Sequence, residues 1–193
     1  MMDRYELRFG GVGGQGVILA GTILAEAAVI YDGLYAVQSP TYTAQVRGGA
    51  TKVDVIIGRT PIIYPRATSI DFFLALAQRS YDVFHHQLKE GGLLLVDSTL
   101  VRNVDEDRYR VYRVPITDLA EREIGRVVVV NTISLGLTVA MTKVVSRKAI
   151  EQAVMARAPR GTEEMNMKAL QLGFAKAEEM GFAPEETKAE EVA

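Results

Sequence analysis

The chain has 193 residues, 48% of them apolar and 24% charged, with a formal net charge of −2. That length and balance fit one globular domain with a sizeable core, and give no positive field for nucleic acid or an anionic membrane. The absence of cysteine excludes disulfides, thiolate catalysis and any iron–sulfur cluster ligated by cysteines of this chain.

Asp3, Arg4 and Glu6 precede any apolar run, so the start does not read as a secretory signal. Residues 5–9 alternate apolar and charged positions and predict a first strand. Five glycines follow within seven residues: Gly10, Gly11, Gly13, Gly14 and Gly16. Residues 15–31 then predict a helix, with Val17, Ala20, Leu24, Ala27, Ala28 and Tyr31 at helical spacing and Leu19 and Ile23 as a second apolar row. Asp32-Gly33 ends it, and residues 34–38 predict a second strand. A polar loop spans 39–49. Residues 50–57 predict a strand, and Gly58-Arg59-Thr60 predicts a hairpin turn into 62–64, so a hairpin is expected over residues 50–64.

Residues 72–77 predict a buried strand, 81–88 a short helix, 93–96 a strand ending at Asp97, and 110–114 a strand stopped by Pro115. A short helix is expected over 117–124, with Thr117 as its cap, then a strand over 127–130 feeding a helix from Asn131 to about residue 145. Ser146 caps a further helix over 147–157, and a last helix runs over 162–180. Residues 183–193 hold four glutamates and little to bury, and read as a solvated, flexible acidic tail after a single α/β domain over 1–182. The uncharged runs over 9–25 and 127–142 are too short or too polar for the roughly 20 apolar residues of a membrane span.

Strands alternating with helices predict a three-layer, Rossmann-like α/β domain with a mostly parallel sheet. In such sheets ligands sit beyond the carboxyl ends of the strands, where the loops over 10–16 and 39–49 both emerge. Gly11, Gly13 and Gly16 fit G-x-G-x-x-G, which opens a helix and turns backbone N–H groups outward. Dinucleotide binding also requires an acid at the end of the second strand, and Val37-Gln38-Ser39 supplies none; no lysine stands at Walker spacing. A phosphate or a neighbouring backbone remains open as the loop's partner, with Gly13, Gly14 and Gln15 at the helix start. Arg47 beside Gly48 and Gly49 presents a fork suited to a phosphate or carboxylate, or stands as a solvated loop charge. His85 and His86 point about 100° apart on a helix and make a poor metal pair. Asp97, before Ser98-Thr99, reads as an acid catalyst or as a turn cap. No catalytic triad, zinc motif or paired histidine–carboxylate spacing stands out, so no catalytic or metal-binding residue is assigned.

The run GGVGGQG over 10–16, the segment from Tyr42 through Val46-Arg47-Gly48-Gly49, and LKEGGLLLVD over 88–97 together resemble the gamma subunit of 2-oxoacid:ferredoxin oxidoreductases. Asn131 at a helix start and Asn166, Ala169 and Gly173-Phe174 extend the resemblance over residues 5–175. AQRSY over 77–81 and the arginine–glycine segment are closer to the 2-oxoglutarate type than to the pyruvate type. The resemblance implies a cytoplasmic complex that decarboxylates a 2-oxoacid on thiamine diphosphate with Mg, passes electrons through [4Fe–4S] clusters to ferredoxin, and forms an acyl-coenzyme A. It implies alpha, beta and ferredoxin-like delta subunits as partners. This chain is then a non-redox subunit, holding none of those cofactors itself and contributing to assembly and coenzyme A access, with Gly11, Gly13, Gly14, Gln15, Gly16, Arg47, Gly48 and Gly49 as its site. A beta-type subunit of an indolepyruvate oxidoreductase and a free-standing nucleotide-binding enzyme stay open as alternatives.

Overall fold

The computed structural model describes residues 4–41 and 49–182. Six strands, β1 (Arg4–Val12), β2 (Tyr35–Thr41), β3 (Ala50–Gly58), β4 (Ile70–Ala75), β5 (Leu88–Asp97) and β6 (Arg110–Val114), form one sheet in the order β2-β3-β1-β4-β5-β6. The β1–β4, β4–β5 and β5–β6 pairs are parallel, whereas β3 runs antiparallel to both β1 and β2. The sheet is mostly parallel, as expected, with its antiparallel part at one side.

Period-2 alternation along β1 sorts its residues between two unlike faces. Leu7 and Phe9 are fully buried in the larger core, beneath α1 (Val17–Glu26), α4 (Val130–Thr142), α5 (Arg147–Arg157) and α6 (Glu163–Glu179). Glu6 and Arg8 point the other way and are also buried. Arg8 meets Asp54 through Nε at 2.6 Å and Nη2 at 2.9 Å, and donates to the Phe84 carbonyl at 3.0 Å. The Arg8 and Asp54 charges thereby match one another, the condition for burying them. A smaller core around Phe73, Tyr81, Leu94 and Tyr109 completes this layer beneath α2 (Gln78–Phe84).

α4 lies at the centre of the helical layer, with eleven of its thirteen residues buried. Three of its polar residues are satisfied within the helix: the Ser134, Thr138 and Thr142 hydroxyls donate to the carbonyls of Val130, Ser134 and Thr138. Gly136 and Gly173 let α4 and α6 touch backbone to backbone. A Cβ on Gly136 would collide with the Leu170 carbonyl, and one on Gly173 with the Ile133 carbonyl. α5 starts at Ser146 as expected, its hydroxyl accepting the Ala149 N–H at 3.1 Å.

Several expectations are corrected. Residues 62–64 form no strand, so there is no hairpin over 50–64; the antiparallel neighbours of β3 are β1 and β2. Arg4 donates to the Tyr64 and Arg66 carbonyls, and the Glu6 carboxylate accepts the Thr68 and Ser69 N–H groups. Side chains of β1 thus hold 59–69 as a strap, and Pro61 and Pro65 lack the N–H groups a ladder needs. Residues 127–129 form one tight helical turn leading into α4 and do not join the sheet, whose last strand on that side is β6. Thr117 does not cap the next short helix, α3 (Ile116–Leu119), whose preceding residue is Pro115; its hydroxyl donates to Asp97 instead. α1 is less buried than its two apolar rows imply, since Leu19 is 45% exposed. Its final turn widens at residues 27–31, where the Asp32 N–H reaches back to the Ala27 carbonyl. The acidic tail over 183–193 lies outside the described residues.

Candidate functional site

The chain leaves β1 for α1 on the larger-core face, and leaves β4 for α2 on the other face. The carboxyl ends of β1 and β4 therefore flank a topological switch point, the usual ligand crevice of an open α/β sheet.

Gln15 bridges the two strand ends there. Its Oε1 accepts the Val12 N–H at 2.8 Å and its Nε2 donates to the Leu76 carbonyl at 2.9 Å. The glycine loop and the end of β4 are tied together by one amide, with both of its polar ends engaged inside the chain. Gly11 must lack a side chain because its Cβ would stand 2.7 Å from Gln15 Oε1 and 2.9 Å from Val17. Gly16 precedes α1 in the left-handed conformation, φ 69°, with no side-chain cap. Its face packs on Asn131, whose Nδ2 would be 2.9 Å from a Cβ there. Gly13 and Gly14, at the tip, are exposed and open, with no atom within 4 Å of a Cβ on either. The predicted residues thus divide: Gly11, Gln15 and Gly16 build the loop from inside, and Gly13 and Gly14 present backbone outward. The first-turn N–H groups of α1 have no partner within the helix, which leaves a donor-rich end beside that tip.

Arg47 and Gly48 lie outside the described residues. Gly49 is buried immediately before β3. The flanks are informative: Ala50 lies opposite Val12, and Thr41 opposite Lys52. The loop over 42–49 therefore leaves and rejoins the sheet at the same edge as the glycine loop.

Asn131 is the residue whose contact at this edge the spacing does not disclose. It is buried at the start of α4, and the adjacent Thr132 hydroxyl donates to Asn166 Oδ1 at 3.0 Å, linking α4 to α6. The helix start is legible; its approach to Gly16 across 115 residues is not.

Asp97 takes the turn-cap role. Oδ1 accepts the Thr99 N–H at 3.0 Å, and Oδ2 accepts the Thr117 N–H at 3.1 Å and hydroxyl at 2.5 Å. Its oxygens are engaged in joining β5 to α3. His85 stacks on Tyr81 at 4.7 Å, and burial, with His86 and Arg108 nearby, lowers its pKa below the ordinary histidine value. Among the described residues no group of three or more His, Cys, Asp or Glu side chains is arranged to hold a metal, and no helix is long and apolar enough to cross a membrane.

The geometry also argues against the ordinary dinucleotide mode. There the second strand lies beside the first and its end holds the ribose. Here β3 separates β1 from β2, which places β2 about 10 Å away at the usual strand spacing.

Comparison with known proteins agrees over nearly the whole chain. Residues 6–176 match the family model for pyruvate ferredoxin/flavodoxin oxidoreductase. The 2-oxoglutarate synthase subunit KorC of Methanocaldococcus jannaschii is 40% identical over 179 residues, covering 92% of this chain and 96% of its own. KorC of Methanothermobacter marburgensis is 41% identical over 88% of this chain and 95% of its own. The crystal structure of a keto/oxoacid ferredoxin oxidoreductase gamma subunit from Geobacter sulfurreducens is 48% identical and superposes with a TM-score of 0.85, covering 92% of this chain and 98% of that one. With a family match over residues 6–176 and near-complete coverage in sequence and fold, the chain belongs to the pyruvate ferredoxin/flavodoxin oxidoreductase family, as a gamma-type subunit of a 2-oxoacid:ferredoxin oxidoreductase.

Proposed function

We propose that this chain serves a cytoplasmic complex that converts 2-oxoglutarate and coenzyme A to succinyl-coenzyme A and carbon dioxide, passing two electrons to ferredoxin. The single observation that carries the substrate is full-length similarity to relatives described as 2-oxoglutarate synthase subunits. Alpha, beta and ferredoxin-like delta chains are its partners in this reading. They supply thiamine diphosphate with Mg, and [4Fe–4S] clusters. With no cysteine, this chain supplies no thiolate ligand for the clusters. Its own contribution is a docking edge. Gly13, Gly14 and the first turn of α1 offer backbone N–H groups to the coenzyme A phosphates or to a carboxylate of a neighbouring subunit, and Arg47 supplies a guanidinium at the same edge.

The test is Arg47→Ala in the reconstituted complex. Loss of one charge-assisted hydrogen bond costs about 1.5–3 kcal/mol, so the coenzyme A KM is expected to rise roughly tenfold to a hundredfold with kcat for 2-oxoglutarate little changed. Failed assembly assigns Arg47 to docking. Wild-type KM and assembly together would remove Arg47 from the site.

A further inference from the structure

A cavity of about 700 Å³ opens at the amino edge of the sheet, lined by Tyr5, Leu34, Ile57, Arg59, Lys143 and Val144 among others. It lies at the far end of α4 from Gly16, about 20 Å away along the thirteen residues of that helix. Its floor is fixed. The Asp32 carboxylate accepts the Ser146 N–H at 2.6 Å and the Ser146 hydroxyl at 2.7 Å, so its oxygens are directed at the cap of α5. Lys143 closes α4 in the left-handed conformation, φ 52°, where its N–H donates to the Val139 carbonyl at 2.8 Å. Among the described residues it is the only non-glycine with positive φ. A left-handed residue is a common way to end a helix, taken here by a lysine in place of the usual glycine, and this lysine lines the cavity. Burial pushes the Tyr5 hydroxyl up to about 12, so it remains an O–H donor at ordinary pH. Leu34, Ile57 and Val144 add apolar wall, and the volume falls within the ordinary range of small-molecule sites.

We propose that this cavity binds a small amphipathic anion, its carboxylate or phosphate head at Lys143 and the Tyr5 hydroxyl and its apolar body against Leu34, Ile57 and Val144. The site is separate from the glycine edge and does not depend on the coenzyme A reading. The full chain, titrated with the anionic dye 8-anilinonaphthalene-1-sulfonate, is expected to show one saturable site with a Kd of about 10–100 µM. Phenylacetate and phenyl phosphate compete for that site, and whichever displaces the dye at lower concentration identifies the preferred head. Lys143→Asn removes the charge while asparagine tolerates the left-handed backbone, so the fold is retained, as circular dichroism will report. In that variant the dye Kd rises about fivefold, whereas the uncharged N-phenyl-1-naphthylamine binds both proteins weakly and alike. The proposal is overturned by an absence of saturable dye binding, by an unchanged Kd in Lys143→Asn, or by the uncharged dye binding as tightly as the anionic one.

Discussion

Gly16 and Gly13 stand three residues apart in one loop and are constrained by different physics. Gly16 combines a left-handed backbone with the Asn131 side chain pressed against it. An alanine there pays about 1–2 kcal/mol for its backbone conformation alone, and must displace Asn131 besides. Gly13 has open space around it and no positive φ. Urea denaturation is therefore expected to show Gly16→Ala destabilised by about 2 kcal/mol and Gly13→Ala within about 0.5 kcal/mol of the parent. Equal stabilities would mean that the close approach to Asn131 does not exist. The sequence makes the loop legible, because a glycine run between an alternating strand and a periodic helix has few other uses. The role of Gln15 is not legible in this way. Its partner, the Leu76 carbonyl, lies 61 residues away and is a backbone atom that no side-chain pattern reports.

At the scale of elements, the same division holds between local and distant causes. The helix after Ser146 is announced by its own cap and periodicity, and forms as read. The short runs over 62–64 and 127–130 carry equal β propensity, yet neither is a strand. Arg4 and Glu6 capture the first as a strap, and the second winds into the start of α4. Short apolar runs are decided by what the rest of the fold leaves available. The α4–α6 crossing provides the corresponding test. Gly136→Ala sets a methyl against the Leu170 backbone carbonyl, which has no rotamer with which to yield. The two helices must separate, at a cost of about 3 kcal/mol. Gly173→Ala acts on the same crossing, so the double variant loses less than the sum of the two. Thermal or urea melts of the three proteins check this; strict additivity would place the two glycines at independent contacts.

For the molecule as a whole, the two proposed sites lie at opposite edges of the sheet. The carboxyl edge gathers the glycine loop, the first turn of α1 and both ends of the 42–49 loop; the amino edge holds the cavity beside Lys143. The described carboxylates nearest to a catalytic appearance are engaged in structure, Asp97 at the start of α3 and Asp54 with Arg8. In the proposed complex such a chain contributes through contact, with the redox chemistry carried by its partners. The measurement that tests this most directly is 2-oxoglutarate- and coenzyme A-dependent reduction of methyl viologen by the co-purified complex, by the complex prepared without this chain, and by this chain alone. The complete complex is expected to be active, the isolated chain silent, and the depleted complex restored when the chain is added back. Dye reduction by the isolated chain, or full activity of the complex without it, would contradict the account.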